Sequence, residues 1–390
     1  MKISIIRGAF LNPFECQLYA PLARNHDLTL IGADWQFYPH KIEFPAVRVS
    51  QASLWGSATS AISRQAPIAL NRMLSWTTGH SYGFYDLDRL TQDADILHPA
   101  ETFFTMTHQS AAIKRKRGGG LVITVSENLP HMGETHPWRR RLKRQAIEAA
   151  DHLIAITETS RKVLIDEGVS PSLISVIPWS MDLTRFRPAP KDPELMSRLG
   201  IHAEDKVILF IGRLIPEKGI RDILRCVSRL ADTGRTDHIR FLFVGDGPLA
   251  PEIETARHSF PELILRHPFV PYDQLPVLHN LADIFILPST PGHKIAEQFG
   301  FVLIESMASG KPIVTTTVGS IRDVVGEAAV LIEPNKPDQL FTSIMQLMES
   351  PNLRQSLGEK ALNRVREHFD ADKNAERLAS IYKTILKRVA

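Results

Sequence analysis

STPGHKIAEQFGFVLIESMASGKPIV, residues 289–314, carries the reading of the fold. An apolar run at 284–287 leads into it, and a polar loop follows. From Gly300 the composition turns helical, and the pattern closes on Gly310, a residue type that ends helices in the left-handed conformation. A second apolar pair at 313–314 then restarts a strand. Working outward, short apolar runs recur at 3–6, 96–97, 121–125, 153–156 and 174–177. A second series lies at 207–211, 241–244, 284–287, 313–314 and 329–332. Runs that are apolar throughout, separated by helix-length segments of mixed polarity, are the pattern of parallel strands covered on both faces. Two such series predict an α/β fold of two doubly wound, Rossmann-like domains. A chain of 390 residues is also too long for one core. The seam falls in IPWSMDLTRFRPAP, residues 177–190, whose three prolines and lack of period mark a linker. The expected domains are 1–180 and 181–371, with a terminal helix over 372–390.

Composition excludes several classes. The hydrophobic fraction is 43% and the charged fraction 23%, as in ordinary globular proteins, and a net charge of +3 gives no case for nucleic-acid binding. Two cysteines far apart, Cys16 and Cys226, supply neither a disulfide framework nor a metal-ligand spacing, and suit a reducing cytosol. The first residues run straight into a strand pattern with no secretory leader, and no stretch approaches the roughly 18 apolar residues of a spanning helix. The expected location is therefore cytoplasmic. Positive charge is concentrated at 114–117 and 139–144. These segments, the second with Trp138 and Leu142, read as a basic face on an anionic membrane, peripheral at the inner membrane surface, as a solvated face, or as a site for an acidic acceptor.

Ligands of open α/β sheets sit beyond the carboxyl ends of strands, so chemistry is sought there. In FIGRLIPEKGI, residues 210–220, Arg213 and Lys218 flank a turn between a strand and a helix expected near Pro216 or Glu217. Two cations beside a helix start suit a diphosphate; alone, each reads as a solvated surface residue. In VGDGPL, residues 244–249, Gly245 and Gly247 permit close backbone approach, or simply a tight turn. In the quoted stretch Glu297 lies late in the loop, Gly300 leaves the helix start bare for phosphate, and Glu305 lies in the second helical turn. A carboxylate at that place can hold both hydroxyls of a ribose.

Arg213 and Lys218 in GRLIPEKG, then VGDGP, then Glu297 and Glu305 with seven residues between them in EQFGFVLIESMASGKP, resemble the signature of retaining glycosyltransferase family 4. The resemblance implies the GT-B fold, two Rossmann-like domains facing a cleft, and a terminal helix that crosses back to the first domain. It implies transfer of a sugar from a UDP- or GDP-sugar to a glycan, lipid-linked or small-molecule acceptor. No cofactor and no metal are expected. Arg213 and Lys218 would neutralise the diphosphate, Glu305 would hold the ribose, and Glu297 would contact the sugar, beside the backbone of Phe299, Gly300 and Phe301 and near Gly245. Alternatives on the same fold are a nucleotide-sugar-binding protein without transfer activity and a sugar-nucleotide 2-epimerase.

The first half departs from the family pattern. The loop RGAFLNPFECQ has one glycine, Gly8, with Glu15 further on, and Ser126 stands where many members carry a histidine. Glu127, next to it, reads as a group orienting the acceptor or as a cap on the next helix. His98 reads as a second candidate at the acceptor or as a satisfied structural residue. Asp86-Leu87-Asp88, an Asp-x-Asp spelling, has no strand leading into it and is read as a helix start; glycines 118–120 are read as a turn.

Overall fold

The chain folds as two units, Met1–Met181 with Asp370–Ala390, and Asp182–Phe369. The computed structural model describes residues 1–33, 44, 47–52, 83–134, 137–292 and 296–389, so residues 293–295 of the loop quoted above lie outside the described residues.

Among the described residues of the first unit, seven strands form one parallel sheet. They are β1 (Lys2–Gly8), β2 (Asp27–Ala33), β3 (Arg48–Ala52), β4 (Ile96–Pro99), β5 (Gly120–Val125), β6 (His152–Ala155) and β7 (Ile174–Val176), in the order β3-β2-β1-β4-β5-β6-β7. Successive side chains point to opposite faces, and both faces are covered. Ile6, Leu121, Ile123 and Val125 pack on one side, while Ile3, Ile5, Val122 and Ile154 pack on the other. The second side is closed by the terminal helix, Ala371–Val389. Its buried Leu378, Tyr382 and Ile385 recur at helical spacing and join that core. Asn374 donates to the Ser180 hydroxyl at 2.8 Å and Arg377 to the Val176 carbonyl at 2.8 Å, which ties the helix to the first unit.

In the second unit six parallel strands follow the same plan. They are β8 (Lys206–Ile211), β9 (Ile239–Val244), β10 (Ile264–His267), β11 (Ile284–Leu287), β12 (Ile313–Thr316) and β13 (Val330–Ile332), in the order β10-β9-β8-β11-β12-β13. Each unit is thus a doubly wound α/β sheet. The order reverses between β1 and β4 in one and between β8 and β11 in the other, and the loops after those strands diverge to leave a crevice. Among the described residues no helix is long and apolar enough to cross a membrane.

Three strands escaped the reading of apolar runs. β2 and β3 lie outside β1, and β10 is an edge strand whose ILRH sequence is half polar. The helix expected near Pro216 also differs. Residues Pro216–Lys218 form a single 3-10 turn, Gly219 adopts a left-handed conformation, and the helix proper is Ile220–Asp232. Asp86-Leu87-Asp88 does open a short helix, Leu87–Leu90, and glycines 118 and 119 turn with positive φ before β5.

Candidate active site

The loop after β8 and the loop after β11 flank the reversal point of the second sheet, and the backbone binds them together. The Thr290 amide donates to the Glu217 carbonyl at 2.9 Å, and the Thr290 hydroxyl to the Pro216 carbonyl at 3.2 Å. Gly219, with φ +71°, lies so close to Pro288 that a Cβ would overlap the Pro288 carbonyl. The loop after β9 secures the other side: Leu214 donates to the Asp246 carbonyl and Leu249 to the Leu214 carbonyl, both at 2.9 Å. A Cβ on Gly245 would collide with the Gly212 carbonyl, so glycine is needed there to let two loops touch.

This frame brings Lys218 and Glu297 together as an ion pair, 15% and 14% exposed. The Ser289 hydroxyl also donates to Glu297 at 3.3 Å, and the Glu297 carbonyl accepts from the Ser320 amide at 2.9 Å. Arg213 is exposed and makes no ion pair among the described residues. Gly300, with φ +77°, precedes the helix Phe301–Ala308, and no side chain caps that helix start. The Phe299 ring is buried against Phe301 and Phe369, so Phe299 has only backbone to offer at the loop. Glu305 lies in the second turn of the helix with a side chain only 4% exposed, and His279 Nε2 is 3.3 Å from its Oε2. The second unit therefore brings Lys218, Glu297 and Gly300 together around one crevice, with Arg213 on the same loop and Glu305 on the helix that starts there.

In the first unit the strand ends hold a buried polar network. Glu101, just past β4, is a non-glycine residue at φ +58°. Its carboxylate accepts from the Ser126 amide at 3.1 Å and the Ser126 hydroxyl at 2.5 Å. Glu127 reciprocates: it accepts from the Thr102 hydroxyl and, at 2.6 Å, from the Lys143 ammonium, which also donates to Glu167 at 2.8 Å. The loops after β4 and β5 are thus cross-clamped. The sequence reading offered Glu127 as a helix cap; its carboxylate instead binds a threonine and a buried lysine, and the next helix, Pro137–Ala149, supplies that lysine. Burial pushes the Glu127 carboxyl up to about 7 against the pull of Lys143, and burial likewise raises Glu101.

The sign of this shift is testable. Glu127 holds its proton more tightly in the folded state than in the unfolded chain, where the ordinary value is 4.5. Its contribution to stability is therefore complete below pH 4.5 and is lost as pH rises through about 7. Glu127→Gln has no proton to lose. Its melting temperature relative to wild type should shift in its favour between pH 4.5 and 7.5; a difference that does not change with pH would count against this account.

His98, read as an acceptor-side candidate or a structural residue, lies within β4. It is 1% exposed, and its two nitrogens engage the Tyr382 hydroxyl at 2.5 Å and the Thr124 hydroxyl at 2.6 Å. Burial, with Arg7 nearby, lowers its pKa to about 3, so it stays neutral and joins the terminal helix to the sheet. Glu15 turns inward to pair with the buried Arg7 and receives the Asn12 amide group at 2.9 Å. The basic segments are also partly absorbed by structure. Lys114 pairs with Asp151 at 2.7 Å, while Lys116 and Arg117 pair with Asp88. Lys143 and Leu142 are buried, so neither can face lipid. His131, Glu134 and Glu167 gather within 4.8 Å, but the Lys143 ammonium already lies 3.8 Å from Glu134 and 2.8 Å from Glu167.

Sequence reasoning missed Glu101, Lys143 and His279. Lys143 was counted as part of a charge run, although Leu142, Lys143 and Ala146 share one helical face, and that spacing was the available signal. His279, in PVLHNLADI, was a lone histidine in an apolar segment directly before a core strand.

Known proteins agree with this architecture. Residues 191–364 match the family model of glycosyl transferases group 1, and residues 21–185 match that of Glycosyltransferase Family 4. The chain is 31% identical over 223 residues to a 2-deoxystreptamine glucosyltransferase of Streptomyces kanamyceticus, covering 55% of this chain and 56% of that protein. It is 30% identical over 257 residues to a D-inositol 3-phosphate glycosyltransferase of Thermobispora bispora, covering 63% and 58%. The matched stretch thus spans less than two thirds of the length of these curated relatives. HepE of Anabaena, solved in complex with UDP-glucose, superposes with a TM-score of 0.75 at 17% identity over 98% of this chain and all of that one. The chain belongs to the family-4, group-1 glycosyltransferases and has their GT-B fold.

Proposed function

We propose that this protein is a retaining, metal-independent glycosyltransferase that moves a hexose from a UDP- or GDP-sugar, bound by the second unit, to a hydroxyl of a glycan, lipid-linked or small-molecule acceptor met by the first. The observation that carries this reading is the Lys218–Glu297 pair at the point where the strand order reverses, beside the helix start at Gly300. An ammonium has three donors, so Lys218 can serve Glu297 and a phosphate oxygen together. Arg213 adds a second cation from the same loop. Glu297 then addresses sugar hydroxyls and Glu305 the ribose.

In the transfer the bond between the sugar C1 and the diphosphate oxygen breaks, and the acceptor oxygen bonds C1 on the same face. The acceptor proton passes to the leaving phosphate. The developing diphosphate charge is stabilised by Arg213, Lys218 and the amides at Gly300, preorganised by the interlocked loops. These groups supply the positive charge that a metal would otherwise bring. Activity should therefore survive EDTA unchanged in a nucleoside-diphosphate release assay; loss on chelation, restored by magnesium or manganese, would reject the metal-independent part. Product analysis tests the whole. Incubation with donor alone and with acceptor should yield a transfer product only with acceptor, whereas an epimer, or binding without turnover, would assign the chain to another class.

Contact with an anionic membrane rests on what the basic helix leaves exposed: Trp138, with Arg141 over its ring at 5.7 Å, and Arg140 and Arg144. Sedimentation with vesicles containing phosphatidylglycerol should fall severalfold on replacing the three arginines by serine. Equal sedimentation of the variant would reject this contact.

A further inference from the structure

We propose that His279 is a positioning residue, whose Nε2–H holds the Glu305 carboxylate in the orientation that receives the ribose hydroxyls; this rests on the reading of Glu305 as the ribose carboxylate.

The imidazole is fully buried on the short helix Leu275–Leu281. Its ring packs against Phe186, with centroids 5.8 Å apart, and Phe285, with centroids 5.6 Å apart. Among the described residues Nδ1 has no hydrogen-bond partner. The one polar contact of the ring among them is Glu305 Oε2, and because a carboxylate only accepts, Nε2 carries the donated proton. A phenylalanine would fill the same aromatic cage with no buried polar atom to desolvate. What the imidazole brings instead is one donor aimed at Glu305.

Glu305 shows the complementary arrangement. Oε2 receives His279, and among the described residues no group donates to Oε1. A glutamate has three side-chain torsions to fix, and the vicinal hydroxyls of a ribose are read well only if the carboxylate plane is already set. Fixing Oε2 sets that plane from behind and leaves Oε1 to the ligand. The contact of 3.3 Å is at the long end for a hydrogen bond and should tighten when hydroxyls draw on the other oxygen.

The test is nucleotide titration by calorimetry with UDP and GDP, and with the 2′-deoxy form of whichever binds. His279→Phe keeps the cage filled but has no donor, and should weaken binding about fivefold to twentyfold with a melting temperature close to wild type. His279→Gln, whose amide can reach the Nε2 position, should recover most of that loss. In a Glu305→Ala background, His279→Phe should cost nothing further, and it should also flatten discrimination against the 2′-deoxy nucleotide. The proposal is overturned if His279→Phe binds like wild type while Glu305→Ala does not, or if its loss is undiminished in the Glu305→Ala background. If Glu305→Ala itself binds normally, the ribose assignment fails first.

Discussion

Arg213→Ala is expected to lower turnover at saturating donor by about 10²–10³-fold, and Lys218→Ala by a similar factor, in a nucleoside-diphosphate release assay. The diphosphate gains charge as the sugar leaves, so cations placed on it matter more in the transition state than in the bound donor. Donor affinity should fall much less than turnover. Arg213 is exposed and without an ion-pair partner among the described residues, so its removal should leave stability within roughly 0.5 kcal/mol of wild type. Lys218 is held by Glu297, and its removal also leaves that carboxylate partly buried without its cation. Arg213→Ala is therefore the cleaner variant. Wild-type turnover in both would show that the diphosphate lies elsewhere.

Glu305→Ala should weaken binding of the nucleoside diphosphate by about 1–3 kcal/mol, roughly fivefold to 150-fold, because a buried ribose hydroxyl pair loses its charged acceptor. The same change strips His279 Nε2 of its one partner among the described residues, inside a cage of aromatic rings. A lower melting temperature is thus expected as well. Glu305→Gln separates the two effects, since the amide oxygen can still accept from His279 while the charge is gone. Unchanged nucleotide affinity in folded Glu305→Ala would reject the assignment.

The second sheet was largely legible because its central strands are buried on both faces and read as continuous apolar runs. The edge strand β10 was not, since one of its margins has no neighbour and its sequence can be polar. The stretch around Glu297 and Glu305 was legible because loop, glycine, helix and strand follow each other in the order the chemistry needs. The position of Lys218 was less so. Pro216 looks like a first helical residue, but the close approach of Gly219 to Pro288 interrupts the turn and delays the helix to Ile220. That contact is made with a loop some seventy residues away and leaves no local trace.

The first unit was harder for the same reason. Glu101 looked like any glutamate after a proline and an alanine, and its value comes from Ser126 on the neighbouring strand end. Lys143 was one of six residues in a basic run, and only Glu127 and Glu167, distant in sequence, make it a buried cation. His98 was read as following a strand; it lies within β4, where the terminal helix brings Tyr382 onto it and buries it. Charge runs and lone histidines are read poorly whenever their partners come from other elements.

A nucleotide-sugar donor is expected to surrender its sugar with the anomeric configuration kept, its diphosphate held by Arg213 and Lys218 of the second unit. It is tested most directly by proton NMR of the anomeric signal while the purified protein turns over α-linked UDP- and GDP-sugars with a panel of hydroxyl acceptors. The account predicts an α-linked product, formed about 10²–10³-fold more slowly by Arg213→Ala. A β-linked product, or no transfer from any of these donors, would contradict it.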